Sequence, residues 1–166
     1  PRLEWFAPAP SAAGAELVHV GSLSRDRGAH LLLEVMRQLR CSHPDVRLDT
    51  LGPFHTRAEE VAFHATVREF GLQEHVNCRT EYLPYDELGR FIGAHKIGLI
   101  PGQLSAKNLT PFVPTKLFEY LACGVPVVAS SLPSIERLFE MGEWGILAAP
   151  DDPRAHAGAI AALLDN

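Results

Sequence analysis

Short β-branched and apolar runs alternate along the chain with longer stretches whose apolar residues recur every three or four positions. The first run, Leu17 to Gly21, predicts a strand. Residues from Asp26 to Arg40 then predict a helix, with Leu31, Leu32, Val35, Met36 and Leu39 on one face and Glu34, Arg37 and Arg40 on the other. A second strand, Val46 to Leu51, closes on Gly52-Pro53 and leads into a helix from Arg57 to Phe70, with Val61, Ala65 and Val67 expected inward and Gly71 as its stop. Val76 to Tyr82 reads as a third strand, Pro84 to Ile92 as a short helix, and Ile97 to Ile100 as a fully apolar fourth strand ended by Pro101. Gly102 to Pro111 is polar and rich in Pro, Gly and Asn, a loop longer than the ~4–6 residues usual between such elements. A helix from Val113 to Cys123, a strand from Val125 to Ala129, a short helix from Pro133, a strand from Gly145 to Ala148 and a last helix from Pro153 complete the pattern. Six strand–helix pairs predict an α/β fold, a doubly wound parallel sheet of about six strands.

With 166 residues, 46% hydrophobic and 21% charged, and a mean hydropathy near zero, the chain has the make-up of one folded domain. A formal charge of −5 provides no overall field for nucleic acid, so any phosphate site must be local. Cys41, Cys78 and Cys123 are odd in number and lack zinc-like spacing, which points to a reducing, cytoplasmic compartment with neither disulfide framework nor structural metal. No apolar run approaches the ~20 residues of a membrane span. Pro1 to Ala15, rich in Pro, Ala, Ser and Gly, with Glu16 reads as a linker from an absent N-terminal domain, ahead of a folded domain over residues 17–166.

Doubly wound sheets bind ligands beyond the carboxyl ends of their strands, which directs attention to Gly21–Gly28, Gly52–Thr56, Glu81–Tyr85 and Gly102–Thr115. The first of these has neither a Gly-x-Gly-x-x-Gly spacing nor a Gly-Lys-Ser/Thr ending, so NAD, FAD and P-loop chemistry drop away. It leaves Arg25 and Arg27 beside a helix start, either a phosphate grip or a solvated turn. Between Phe112 and Ile135 the only charges are Lys116 and Glu119, three apart on one face of a mostly apolar helix. They can pair for ~0.2–0.5 kcal/mol. Partial burial makes so weak a pair expensive to desolvate, and a ligand offering phosphates to Lys116 and hydroxyls to Glu119 would use both.

The segment Pro114-Thr115-Lys116-Leu117-Phe118-Glu119-Tyr120-Leu121-Ala122-Cys123-Gly124-Val125-Pro126-Val127-Val128-Ala129-Ser130 resembles the signature of the C-terminal, nucleotide-sugar-binding domain of GT-B retaining glycosyltransferases, the glycosyl transferases group 1 family. Val20-Gly21 to Gly28 is similar to its first loop, and Gly145-Ile146-Leu147 with Pro150-Asp151-Asp152 to its closing strand and last helix. The resemblance implies a Rossmann-like half of a GT-B fold. It implies that Glu119 binds the donor ribose, and that Arg27 and Lys116 meet the diphosphate. The N–H groups of Phe112, Val113 and Thr115 would face phosphates or sugar. The loops carrying Gly52 and Phe54 and Glu81, Tyr82 and Leu83 would hold the base, and Gly21 and Ser22 would line the first loop. Two positions depart from the family: Ser22 stands where an Arg is expected, with Arg25 as its possible substitute, and Pro111 stands where the first of two Glu residues would fall.

The expected function is transfer, with retention, of a sugar from a nucleotide sugar to a glycan or lipid-linked acceptor, as in polysaccharide biosynthesis. Neither cofactor nor metal is expected. The expected partners are the nucleotide sugar and the N-terminal acceptor domain of the same protein, which would also bring any peripheral contact with the inner face of the membrane; the isolated domain should turn over little. Two alternatives stay open: an epimerase or phosphorylase half on the same plan, or a binding domain that has kept the fold without the chemistry.

Overall fold

The computed structural model describes residues 3–6, 8, 15–105, 108 and 114–166. Its six strands are β1 (Leu17–Val20), β2 (Leu48–Leu51), β3 (Val76–Arg79), β4 (Ile97–Ile100), β5 (Val127–Ser130) and β6 (Gly145–Ala148). All neighbours pair in parallel, in the order β3-β2-β1-β4-β5-β6. Helices α1 (Ala29–Leu39), α2 (Arg57–Glu69) and α6 (Pro153–Leu164) contribute to the core on one face of the sheet. Helices α3 (Tyr85–Gly93), α4 (Thr115–Ala122) and α5 (Pro133–Phe139) contribute to the core on the other. The strand order reverses between β1 and β4, and the loops that follow those two strands part there.

Several elements are shorter than their apolar runs suggest. Helix α1 starts at Ala29 rather than Asp26, because residues 25–28 form tight turns that end on Gly28 at φ 79°. Strand β5 starts at Val127, just after Pro126, which has no N–H for the ladder. Strand β3 ends at Arg79, so Glu81 and Tyr82 lie in the loop beyond it. Helix α2 is rotated from the expected face: Phe63 and Val67 are buried, whereas Val61 and Ala65 are exposed. Phe63 and Val67 are four apart on one face, and on that face the Phe63 ring meets Phe54 with centroids 5.3 Å apart in the core. At the other end of the sequence, Leu3–Trp5 form a 3₁₀ turn, Phe6 is buried and Trp5 stacks on Tyr85 with ring centroids 5.9 Å apart. That part of the expected linker therefore packs on α3.

One residue ties α4 to the sheet directly below the switch point. The Tyr120 ring is fully buried and lies across β4 at Gly98, where an added Cβ would come within 2.5 Å of it. Its hydroxyl accepts from the Val20 N–H at 2.9 Å, at the end of β1. Tyr120→Phe leaves that amide without its partner and is expected to lower stability by ~1–3 kcal/mol. Urea unfolding of the two proteins measures the loss, and an unchanged midpoint would show that the bond is dispensable.

Candidate functional site

At the switch point the β1–α1 loop faces the start of α4 across a cleft of about 230 Å³. Gly21, Ser22 and Arg27 form one wall, Thr115 and Lys116 another, and Pro101 closes the end of β4. Close backbone approaches shape it. Gly21 has φ +119°, and a Cβ on it would sit 2.8 Å from the Lys116 Nζ, so the ammonium group lies over bare main chain. Gly28, at φ +79°, presses on the Pro101 carbonyl, leaving no space for a side chain. The α4 N-terminus opens behind Pro114 with no side-chain cap, so its first N–H groups and the positive end of its dipole are directed to this end of the molecule.

The electrostatics are those of an anion site. Desolvation, with the Arg27 charge second, pushes the Lys116 ammonium down to about 7, and the Glu119 carboxylate only partly offsets this. None of the ion pairs among the described residues involves Lys116. Beneath it, His19 is buried and donates from Nδ1 to the Leu99 carbonyl at 3.1 Å, while burial, followed by the Lys116 charge, holds its imidazole at about 3. It is neutral at physiological pH and adds no third charge. Glu119 lies one turn further along α4, 7% exposed, with its carboxyl raised by burial against the lowering effect of Lys116.

The expected site residues do not all meet. Gly21, Ser22, Arg27, Thr115 and Lys116 meet at the cleft, with Glu119 behind them. Arg25 and Phe54 instead line a second cavity, between α1 and α2, and Arg25 is not among the residues of the cleft. Gly52 packs against the Gly21 carbonyl as a support for the first loop. Glu81 is exposed and paired with Arg79 at 2.6 Å, Tyr82 is 82% exposed, and Leu83 is partly buried; none is a wall of the cleft. Pro111, Phe112 and Val113 lie outside the described residues.

Asn108, between β4 and α4, lines the cleft although no spacing singled it out. Ser130 and His156 also meet, at 3.3 Å, but the serine is fully buried and the nearby Asp152 side chain caps α6 through the Arg154 and Ala155 N–H groups, which leaves a structural pair. Among the described residues no group of acidic, His or Cys side chains could hold a metal ion, and no helix is long and apolar enough to cross a membrane.

Residues 14–166 match the family model for glycosyl transferases group 1. The chain belongs to that family. Among curated relatives, a protein of Escherichia coli K12 named as a colanic acid biosynthesis glycosyltransferase, WcaL, is 28% identical over 163 residues, covering 95% of this chain and 39% of its own. Solved structures are also similar. Sucrose-phosphate synthase from Thermosynechococcus elongatus superposes with a TM-score of 0.81 at 25% identity, over 100% of this chain and 42% of that one. Anabaena HepE in complex with UDP-glucose gives 0.81 at 20% identity, over 98% and 45%. The C-terminal domain of the group 1 protein LpcC from Francisella tularensis gives 0.79 at 16% identity, over 99% and 87%. This group 1 chain thus has the GT-B fold of the C-terminal half, and spans about two-fifths of the curated relative's length.

The Lys116 environment makes a prediction about stability. The folded state holds this ammonium well below its usual 10.5, so between about pH 7 and 10.5 the unfolded chain binds the extra proton and stability rises with pH. Below that window both states are protonated and the full cost of burying the charge remains. Lys116→Met is expected to raise stability at pH 7 by ~1–4 kcal/mol and to flatten the rise toward alkaline pH. Chemical denaturation at several pH values measures both; an equally steep rise in the variant would place its source elsewhere.

Proposed function

We propose that this chain is the donor-binding half of a retaining glycosyltransferase: the cleft between β1 and β4 holds a nucleoside-diphosphate sugar whose glycosyl group passes to a glycan or lipid-linked acceptor presented by another domain. The observation that carries this reading is the convergence of Arg27, Lys116 and the uncapped α4 N-terminus on one small cleft at the switch point. A diphosphate fits such a site because guanidinium, ammonium and helix N–H groups all donate to its oxygens. The ribose hydroxyls are assigned to Glu119, the carboxylate whose charge Lys116 feels. The relative's name and the UDP-glucose in the HepE structure support the same class of donor.

In the reaction the bond between the anomeric carbon and the diphosphate oxygen breaks, negative charge grows on the leaving diphosphate, and the acceptor oxygen forms the new bond on the same face while its proton passes to the departing diphosphate. Arg27 and Lys116 stand where they neutralise that charge, and the desolvation of the Lys116 ammonium strengthens its effect. Diphosphate binding also raises the proton affinity of Lys116, so the charge it holds weakly in the empty cleft becomes firm when a donor arrives. No metal is needed for this step. A cytoplasmic setting, with the acceptor domain in contact with the membrane, completes the proposal.

A thermal-shift panel of UDP-, GDP- and ADP-sugars on the chain tests the reading and identifies the base. At 100 times its dissociation constant the correct donor is expected to add ~2.7 kcal/mol of stability. Arg27→Ala and Glu119→Ala should each weaken its binding about tenfold or more, as removal of a partner to a charged group does. If both variants bind as the parent does, the chain is a binding domain that uses the fold in another way.

A further inference from the structure

The β1–α1 loop carries Arg27 but is not held by its own contacts alone. The Asp26 carbonyl, one residue before Arg27, accepts two hydrogen bonds from the loop that follows β4: from the Gln103 N–H at 3.0 Å and from the Asn108 Nδ2 at 2.7 Å. The same Nδ2 donates to the Gln103 carbonyl at 2.9 Å, closing the clamp. Asn108 is 1% exposed, so this carboxamide has little water to exchange its partners with, yet the residue forms part of the cleft wall. Below it, the Gln103 side chain donates to the Pro101 carbonyl at 2.8 Å, the same carbonyl on which Gly28 is pressed. The two loops are thereby fastened on both sides of Arg27, at Asp26 and at Gly28.

We infer that Asn108 is a positioning residue for the diphosphate: its carboxamide fixes the main chain at Asp26 and so aims the Arg27 guanidinium into the cleft. This rests on the donor reading above only for the identity of the ligand; the mechanical part concerns the free protein.

The test uses Asn108→Ala, Arg27→Ala and the double variant. In the free proteins, ¹⁵N relaxation of the Ser24 to Gly28 amides is expected to show a rigid loop in the parent and a more mobile one in Asn108→Ala, with thermal unfolding confirming that the variant is folded. An equally rigid loop would overturn the inference whether or not any nucleotide binds. In titrations with UDP, GDP and ADP and with the corresponding monophosphates, Asn108→Ala should weaken the diphosphate that binds the parent by about fivefold to tenfold and leave its monophosphate nearly unchanged. In the Arg27→Ala background the asparagine change should add little further. Equal losses for diphosphate and monophosphate, or losses that simply multiply in the double variant, would show that Asn108 does not act through Arg27. Failure of all six nucleotides to bind the parent, with a loop loosened as expected, would instead overturn the donor reading and leave the clamp standing.

Discussion

Two positive charges share a space of about 230 Å³ at the point where the sheet changes direction, and the rest of the structure serves to keep them there. Neither the local sequence nor helix propensity makes this comfortable. Lys116 is desolvated and repelled by Arg27, and its hold on a proton weakens accordingly. A side chain in that position is held by its surroundings: by α4, by the glycine that lets it lie on the main chain, and by the strands whose ends diverge beneath it. The arrangement costs stability in the empty protein and returns it when an anion arrives, as expected of a preorganised electrostatic site.

Much of this was legible in the amino-acid order. Six βα pairs, the glycines closing the first two strands, and the isolated charges at residues 116 and 119 pointed to the strand ends and to Lys116, whereas Arg27 was told from Arg25 only by the resemblance to the family. Proximity across loops was not legible. Arg25 and Arg27 are two residues apart in one turn, yet they line different cavities, because the turns ending at Gly28 rotate the chain between them. Asn108 lies in a stretch of mixed polar residues, and its partner at Asp26 is eighty-two positions away. No periodicity reports a bond of that kind. The face of α2 is set by a distant partner: Val61 and Ala65 match the helical spacing, but Phe63 meets Phe54 from the loop after β2, a contact no periodicity reports.

Stability and site geometry depend on the same few residues. Phe54 and Phe63 pack with ring centroids 5.3 Å apart beside the β2–α2 loop, and Gly52 in that loop supports Gly21, so the first wall of the cleft rests on the core of the α1–α2 face. On the other face, α4 is held by Leu117 and Tyr120, both fully buried. The cleft is therefore a seam between two cores rather than a depression in one, a common situation for ligand sites in open α/β sheets.

The tyrosine hydroxyl that meets the last amide of β1 has a consequence for anyone seeking to alter what the cleft accepts. Because that bond joins the helix bearing the lysine to the strand bearing the opposing loop, widening the gap by shifting the helix would first require uncoupling it from the strand, with a fold-wide penalty. Changes of preference should arise more cheaply from the loops above this rivet than from the helix below it.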